Sequence, residues 1–254
     1  MAEKVKASFR DPSGFMFKIN GQFHRQVNKT YQKDYDLLMS SGLYQQLSKA
    51  KAILSHEEMP IELSPLPEFA YKIIKPQQLS FVSYPYEWCF NQYKDAAILT
   101  LSIARRALSF GMSLKDASAY NIQFHQGRPI FIDTLSFEAY EDGKPWVAYK
   151  QFCQHFLAPL ALMVKTDIRL NGLMRDYIDG IPLDLASKLL PVSTKLNFGL
   201  ATHIHIHAKS QEKYADQKVS QEEVSGRISK QALYNLIDSL LSVVRSLNVK
   251  TIMT

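Results

Sequence analysis

An Asp and an Asn five residues apart, Asp116 and Asn121, followed by a hairpin that ends on Asp133, constrain this chain more than any other feature. Ile122-Gln123-Phe124 and Pro129-Ile130-Phe131-Ile132 read as short strands, with His125-Gln126-Gly127-Arg128 as the turn between them. A tight loop can present Asp116 and Asn121 to one cavity, and an Asp at the end of an apolar strand reaches the same cavity from across the hairpin. Two carboxylates and one amide then converge on one point. Oxygen donors of this kind suit Mg²⁺, which keeps several waters and takes its remaining ligands from phosphate. Asp and Asn also stabilise turns through local hydrogen bonds, so the spacing alone is a weak signal. The hairpin, the apolar strand and the terminal Asp together make the pattern rarer.

A chain of 254 residues with 46% hydrophobic content can bury one large core or build two lobes with a cleft between them. Cys89 and Cys153 match neither a disulfide framework nor a zinc pattern, which points to a reducing cytoplasm. The residues after Met1 contain no apolar signal core, and the longest apolar run, 156–164, is too short to span a bilayer. A net charge of +6 and a pI near 9.1 favour anionic partners. The basic residues are scattered, however, and no nucleic-acid-reading module is present, so nucleotide phosphate suffices as the anion.

Along the chain, residues 7–9, 15–19 and 22–27 read as strands, with Asn20-Gly21 as a hairpin turn. Arg10-Asp11-Pro12-Ser13-Gly14 has one Gly and reads as an ordinary turn. Residues 35–54 suggest one helix, or two interrupted near Ser40-Ser41-Gly42. Four prolines at 60, 65, 67 and 76 punctuate the next stretch, and residues 79–88 read as a strand running into a hinge. Phe90, Tyr93, Ala97, Leu101, Ala104 and Leu108 recur at helical spacing up to Gly111. Further helices are expected over 146–200, including 146–164 with a break near Pro159, and over 229–247, whose apolar stripe could dock another module. The expected division is a small lobe over 1–83, a large helical lobe over 84–228 and a terminal helix or linker over 229–254.

At the motif level the chain resembles the aminoglycoside-phosphotransferase and protein-kinase-like superfamily. The resemblance implies an α+β, two-lobed fold with a small β-rich N-lobe and a larger, mainly helical C-lobe. Carried over by position, Asp116 would be the catalytic base, with Asn121 and Asp133 as metal ligands. Arg25, on the third expected strand, and Lys115 would be the cofactor-binding cations. ATP and Mg²⁺ are the implied cofactors, and a small-molecule or glycan hydroxyl the implied phosphate acceptor. Leu114 stands where the family has His two residues before Asp116, Thr134-Leu135 replace the aromatic-Gly after Asp133, and no small-lobe Lys is evident. Arg grips phosphate bidentately but hardly ever loses its charge, so a non-catalytic, pseudokinase-like module stays open beside the phosphotransferase.

Longer segments, Ser-Gly-Leu-Tyr at 41–44, Tyr-Pro-Tyr-Glu-Trp at 84–88, 114–121, 131–137 and Gln-Phe-Cys-Gln-His-Phe-Leu-Ala-Pro-Leu at 151–160, are similar to the amino-terminal half of a bacterial family of class I SAM-dependent methyltransferases, some of nodulation type. The resemblance implies a methyltransferase module as partner, and it leaves open, beside the two readings above, a truncated N-terminal module of such a methyltransferase with no activity of its own. None of the ten glycines forms the Gly-x-Gly pair that a SAM-binding Rossmann turn needs, so methyl transfer would belong to that other module.

Three other groups invite function and have simpler readings. His203, His205 and His207 could meet a metal, with Glu212 and Asp216 nearby, yet no Cys completes a set. Trp88, Trp146, Tyr84, Tyr86 and Tyr149 could stack a base, although large aromatics more often pack cores. Glu57 or Glu58 could pair the small-lobe cation, but their position near Pro60 favours a surface loop.

Overall fold

The computed structural model describes residues 3–4, 11–207 and 228–249. The fold is α+β, with a small sheet-built lobe at the amino-terminal side and a larger helical lobe after it. The sheet contains β1 (Glu3–Lys4), β2 (Gly14–Ile19), β3 (Gln22–Asn28), β4 (His56–Met59) and β5 (Ala70–Pro76), in the antiparallel order β1-β2-β3-β5-β4. Asn20 and Gly21 both take positive φ, 51° and 78°, the mirror-image turn that matches the twist of paired strands. Side-chain alternation then divides the sheet. Phe15, Phe17, His24 and Gln26 are buried on one face, while Met16, Arg25 and Ile74, which pair in register across β2, β3 and β5, line a cleft on the other.

The helices α1 (Gln32–Ser40) and α2 (Leu43–Lys49) follow β3, separated at Gly42, whose φ of 84° stops the first helix. The interruption expected near Ser40-Ser41-Gly42 is therefore present. The strand expected over 79–88 is not. Residues 77–84 run without strand pairing into a short helical turn at Pro85–Glu87, and the neighbouring strands are β4 and β5. Charges at Glu57, Glu58, Lys72 and Lys75 hid the alternation of these two strands, and Pro76 closes β5 where no further donor is needed. Glu58 is thus on a strand, not in a loop; it binds Lys72 at 2.6 Å and accepts from the Tyr35 hydroxyl at 3.1 Å. The strand expected at 7–9 lies outside the described residues.

The large lobe is organised by α3 (Phe90–Ser109), which buries Tyr93, Ala97, Leu101, Ala104 and Leu108 along one face. Two small ladders follow it: β6 (Met112–Leu114) with β9 (Phe137–Ala139), and β7 (Ile122–His125) with β8 (Arg128–Phe131). Beyond them, α4 (Tyr149–Phe152) and α5 (Ala158–Lys165) form one continuous rod through a π-helical turn at Cys153–Leu157. The break expected at Pro159 does not occur. The wider turn before Pro159 relieves the clash and the missing N–H that would kink a regular helix. Shorter helices α6 (Leu183–Leu189) and α7 (Phe198–Leu200) lead to α8 (Lys230–Ser246).

The apolar stripe of α8 is not exposed. Leu233, Ile237, Leu240, Leu241 and Val244 are buried in the same core as α3. Lys94 on α3 donates to the terminal carbonyls of Arg245 and Leu247 at 2.8 and 2.7 Å, which completes orphan acceptors at the negative end of the helix dipole. Among the described residues, no helix is long and apolar enough to cross a membrane.

Candidate functional site

The β7–β8 hairpin turns through Gln126 and Gly127, with φ of 51° and 75°, and its pairing continues when the Ile132 N–H donates to the Asn121 carbonyl at 2.8 Å. Asn121 and Asp133 are thereby held at the open end of one hairpin. The Asn121 amide donates to Ser136 Oγ at 3.3 Å, and Asp133 Oδ1 accepts the Leu135 N–H at 2.9 Å. Arg25 reaches across from β3, placing Nη1 2.8 Å from Asp133 Oδ1 and Nη2 2.8 Å from Asp11 Oδ2. The Arg25 and Asp133 side chains retain only 14% and 15% of their exposure, so their pairing offsets a substantial desolvation cost. Arg25 Nε is buried and has no partner among the described residues. A buried N–H without an acceptor is costly, and an anion entering the cleft could supply one.

These three residues share a cleft of about 260 Å³ between the lobes. Its apolar wall comprises Met16, Leu54, Ile74, Leu79, Val82 and Ile132, while Arg25, Asn121, Gln123 and Asp133 supply polar groups. Gln123 binds both backbone groups of Ser83, accepting its N–H at 2.8 Å and donating to its carbonyl at 3.0 Å. That clamp fixes the connector forming the cleft's far edge. An apolar slot with a few converging polar groups is the usual build of a cofactor site.

Lys115 and Asp116 are not among the described residues that line this cleft. Lys115 Nζ donates to Ser13 Oγ at 3.0 Å and lies 4.5 Å from the centre of the Tyr31 ring. Asp116 Oδ1 accepts from the Ser118 N–H at 2.9 Å and from Gln151 Nε2 at 2.8 Å, while Gln151 Oε1 accepts the Ala117 N–H at 2.7 Å. Gln151 therefore grips the loop through both ends of its amide. His155, one turn along the same rod, accepts the Ala119 N–H at 3.3 Å. Burial holds the His155 ring neutral, pulling its pKa from 6.5 down to about 4 against the opposing fields of Asp116 and Asp179. Gln151 and His155 stand in the sequence only as part of the family-like segment 151–160, because nothing local to residues 151–155 marks a partner more than thirty positions away.

A neutral buried His binds fewer protons in the folded protein than in the unfolded chain. Its stabilising contribution is complete above pH 6.5 and is lost as the pH falls towards about 4. Burial lowers His56 and His203 to about 4 as well, so their contributions run in the same direction. Urea midpoints measured from pH 7.5 to 4.5 should fall on acidification. His155→Gln should flatten that fall by up to about 1.4 kcal/mol per pH unit, the slope of one linked proton. An unchanged slope would mean that His155 is protonated in the folded state.

The histidine group has a structural occupation. His203 lies 2.8 Å from the Tyr149 hydroxyl and 3.2 Å from Ser239 Oγ, and His205 lies 2.7 Å from Ser187 Oγ and 2.9 Å from Thr194 Oγ1. Among the described residues no cluster of three His, Cys, Asp or Glu could hold a metal, and Glu212 and Asp216 lie outside them. Trp88 and Trp146 are core residues; Trp88 packs edge-on to Tyr93 and Phe124, and Trp146 donates to the Leu114 carbonyl at 2.7 Å.

No protein-family model matches the chain. It is similar to the nodulation protein NoeA of Rhizobium meliloti (strain 1021), with 32% identity over 253 residues, covering 97% of this chain and 52% of NoeA. The chain thus spans about half the length of that curated relative. Among solved structures it is similar to vaccinia related kinase 3, with 11% identity and a TM-score of 0.40, over 96% of this chain and 91% of that one.

Proposed function

We propose that the cleft between the lobes binds ATP with Mg²⁺, and that the chain is a kinase-like domain directing phosphate to a small-molecule or glycan hydroxyl. The observation that carries this reading is the joint placement of Arg25, Asn121 and Asp133 at the end of an apolar slot. Asp133 Oδ1 is taken by Arg25 and the Leu135 N–H, while Oδ2 and the Asn121 carbonyl oxygen offer hard donors of the type Mg²⁺ prefers. Mg²⁺ bound with ATP would neutralise phosphate charge. Arg25 would grip the phosphates through its fork of donors, including the unpartnered Nε. The apolar wall would hold the base and exclude water. Asp116 would accept the proton of an acceptor hydroxyl, its loop held in place by Gln151.

A second reading has its own support. In this structure Asp116 is tied back to Gln151 and Asp133 is paired to an arginine, an arrangement suited to a nucleotide-binding module that does no chemistry. The likeness to about half of NoeA fits either reading as one module working beside another, and a SAM-dependent methyltransferase is the partner we propose.

Asp116→Asn separates the two. With a panel of sugar and glycan acceptors and labelled ATP, the phosphotransferase reading expects transfer by the wild type. The variant should lose about 10²-fold or more of that rate while ATP affinity is retained, as expected when a general base is removed. Saturable ATP binding with no transfer to any acceptor would select the non-catalytic module.

A further inference from the structure

Arg25 and Lys115, the two cations that the resemblance implied for the cofactor, are held by the same short turn. Arg25 Nη2 binds Asp11, and Lys115 Nζ binds Ser13, two residues further on. The turn has independent anchors. The Asp11 carboxylate accepts the Ser13 N–H at 2.8 Å, the Asn28 amide and the Thr30 hydroxyl donate to the Pro12 carbonyl, and the Asn28 N–H donates to Ser13 O at 2.8 Å. Asp11 is therefore presented to Arg25 by a preformed loop and needs little further ordering to make the contact.

Resting on the nucleotide reading, we propose that Asp11 is a built-in competitor for ligand phosphate, an autoinhibitory contact made on Arg25 of the cleft wall. A carboxylate and a phosphate use the same geometry on a guanidinium fork, two oxygens facing parallel N–H groups. Arg25 is already shared between Asp133 and Asp11, and its Nε has no acceptor among the described residues. Displacing Asp11 frees Nη2 beside that Nε and creates the edge that a phosphate can take bidentately. Asp11 is 37% exposed, so its carboxylate can move into water once displaced. Asp133 is more enclosed and stays. A ligand must then carry enough negative charge to outcompete a tethered carboxylate, which selects polyphosphates and leaves a bare nucleoside indifferent to the turn.

Asp11→Asn tests this without dismantling the turn, because Asn Oδ1 can still accept the Ser13 N–H. Titration calorimetry with the wild type and this variant should show ATP binding tightened on the order of tenfold, the worth of a charge-assisted hydrogen bond at a partly exposed site. Adenosine affinity should be unchanged. Asp11→Glu, which keeps the charge, should bind ATP as the wild type does. Glu57→Gln, which neutralises an exposed acid elsewhere on the sheet, should also leave ATP affinity unaltered. Equal ATP affinity for wild type and Asp11→Asn would overturn the competitor role and leave the nucleotide reading standing. Inorganic tripolyphosphate distinguishes the opposite failure. If ATP binds neither protein but tripolyphosphate binds Asp11→Asn more tightly, the nucleotide reading falls and the competitor role survives. No gain with either ligand removes it.

Discussion

Arg25→Met is expected to lower stability by about 2–3 kcal/mol and to abolish stabilisation by ATP. Breaking a buried ion pair by removing one partner costs about 3–5 kcal/mol, because the remaining charge stays desolvated. Some relief comes from the residual exposure of Asp133 and from its bond to the Leu135 N–H, so the loss falls at or just below the lower end of that range. Methionine fills similar space between Met16 and Ile74, the residues paired with Arg25 on either side, so lost packing contributes little. Denaturant midpoints read the stability directly. Adding Asp133→Asn to Arg25→Met should recover part of the loss, with a coupling of about 1–3 kcal/mol expected for residues in direct contact. Additive losses would show that the two side chains do not depend on each other.

Gly14→Ala should be at least as damaging, at about 3 kcal/mol or more, the upper range for forcing atoms into packed space. A Cβ at this position would sit 1.9 Å from the Gln26 carbonyl oxygen and 2.9 Å from Leu135 Cδ2. The first obstacle is backbone held in the β2–β3 ladder, so it cannot rotate away as a side chain could. Gly127 provides the comparison. Its φ is +75° but its surroundings are open, so Gly127→Ala should cost only about 1–2 kcal/mol of left-handed backbone strain. Equal midpoints for the two variants would mean that the turn before β2 yields more easily than its contacts imply.

The division between what was readable in the sequence and what was not follows the range of the interactions. The Asn20-Gly21 hairpin, the Gln126-Gly127 hairpin and α3 are each specified within a few residues, by positive-φ turns and apolar periodicity, and they form where expected. Strands β4 and β5 were missed because their exposed faces carry paired charges such as Glu58 and Lys72 that belong to different segments. The stripe on α8 was legible as apolar, but its burial depends on α3, more than a hundred positions earlier. The cleft shows the same contrast. Asn121 and Asp133 are brought together by a local hairpin, and Arg25 arrives from a strand whose position was readable. Gln151 at Asp116 and Asp11 at Arg25 are contacts between distant segments with no motif of their own.

The most direct measurement is the thermal unfolding midpoint of the wild type and Asp133→Asn, each with and without ATP and Mg²⁺. A ligand that binds only the folded state raises the midpoint, by about 2.7 kcal/mol of stabilisation at a hundredfold excess over Kd. A metal-dependent rise is expected in the wild type and should disappear in Asp133→Asn, with the variant still folded in the absence of ligand. A wild-type midpoint that ATP and Mg²⁺ leave unmoved, or a rise that survives the loss of the Asp133 carboxylate, would contradict it.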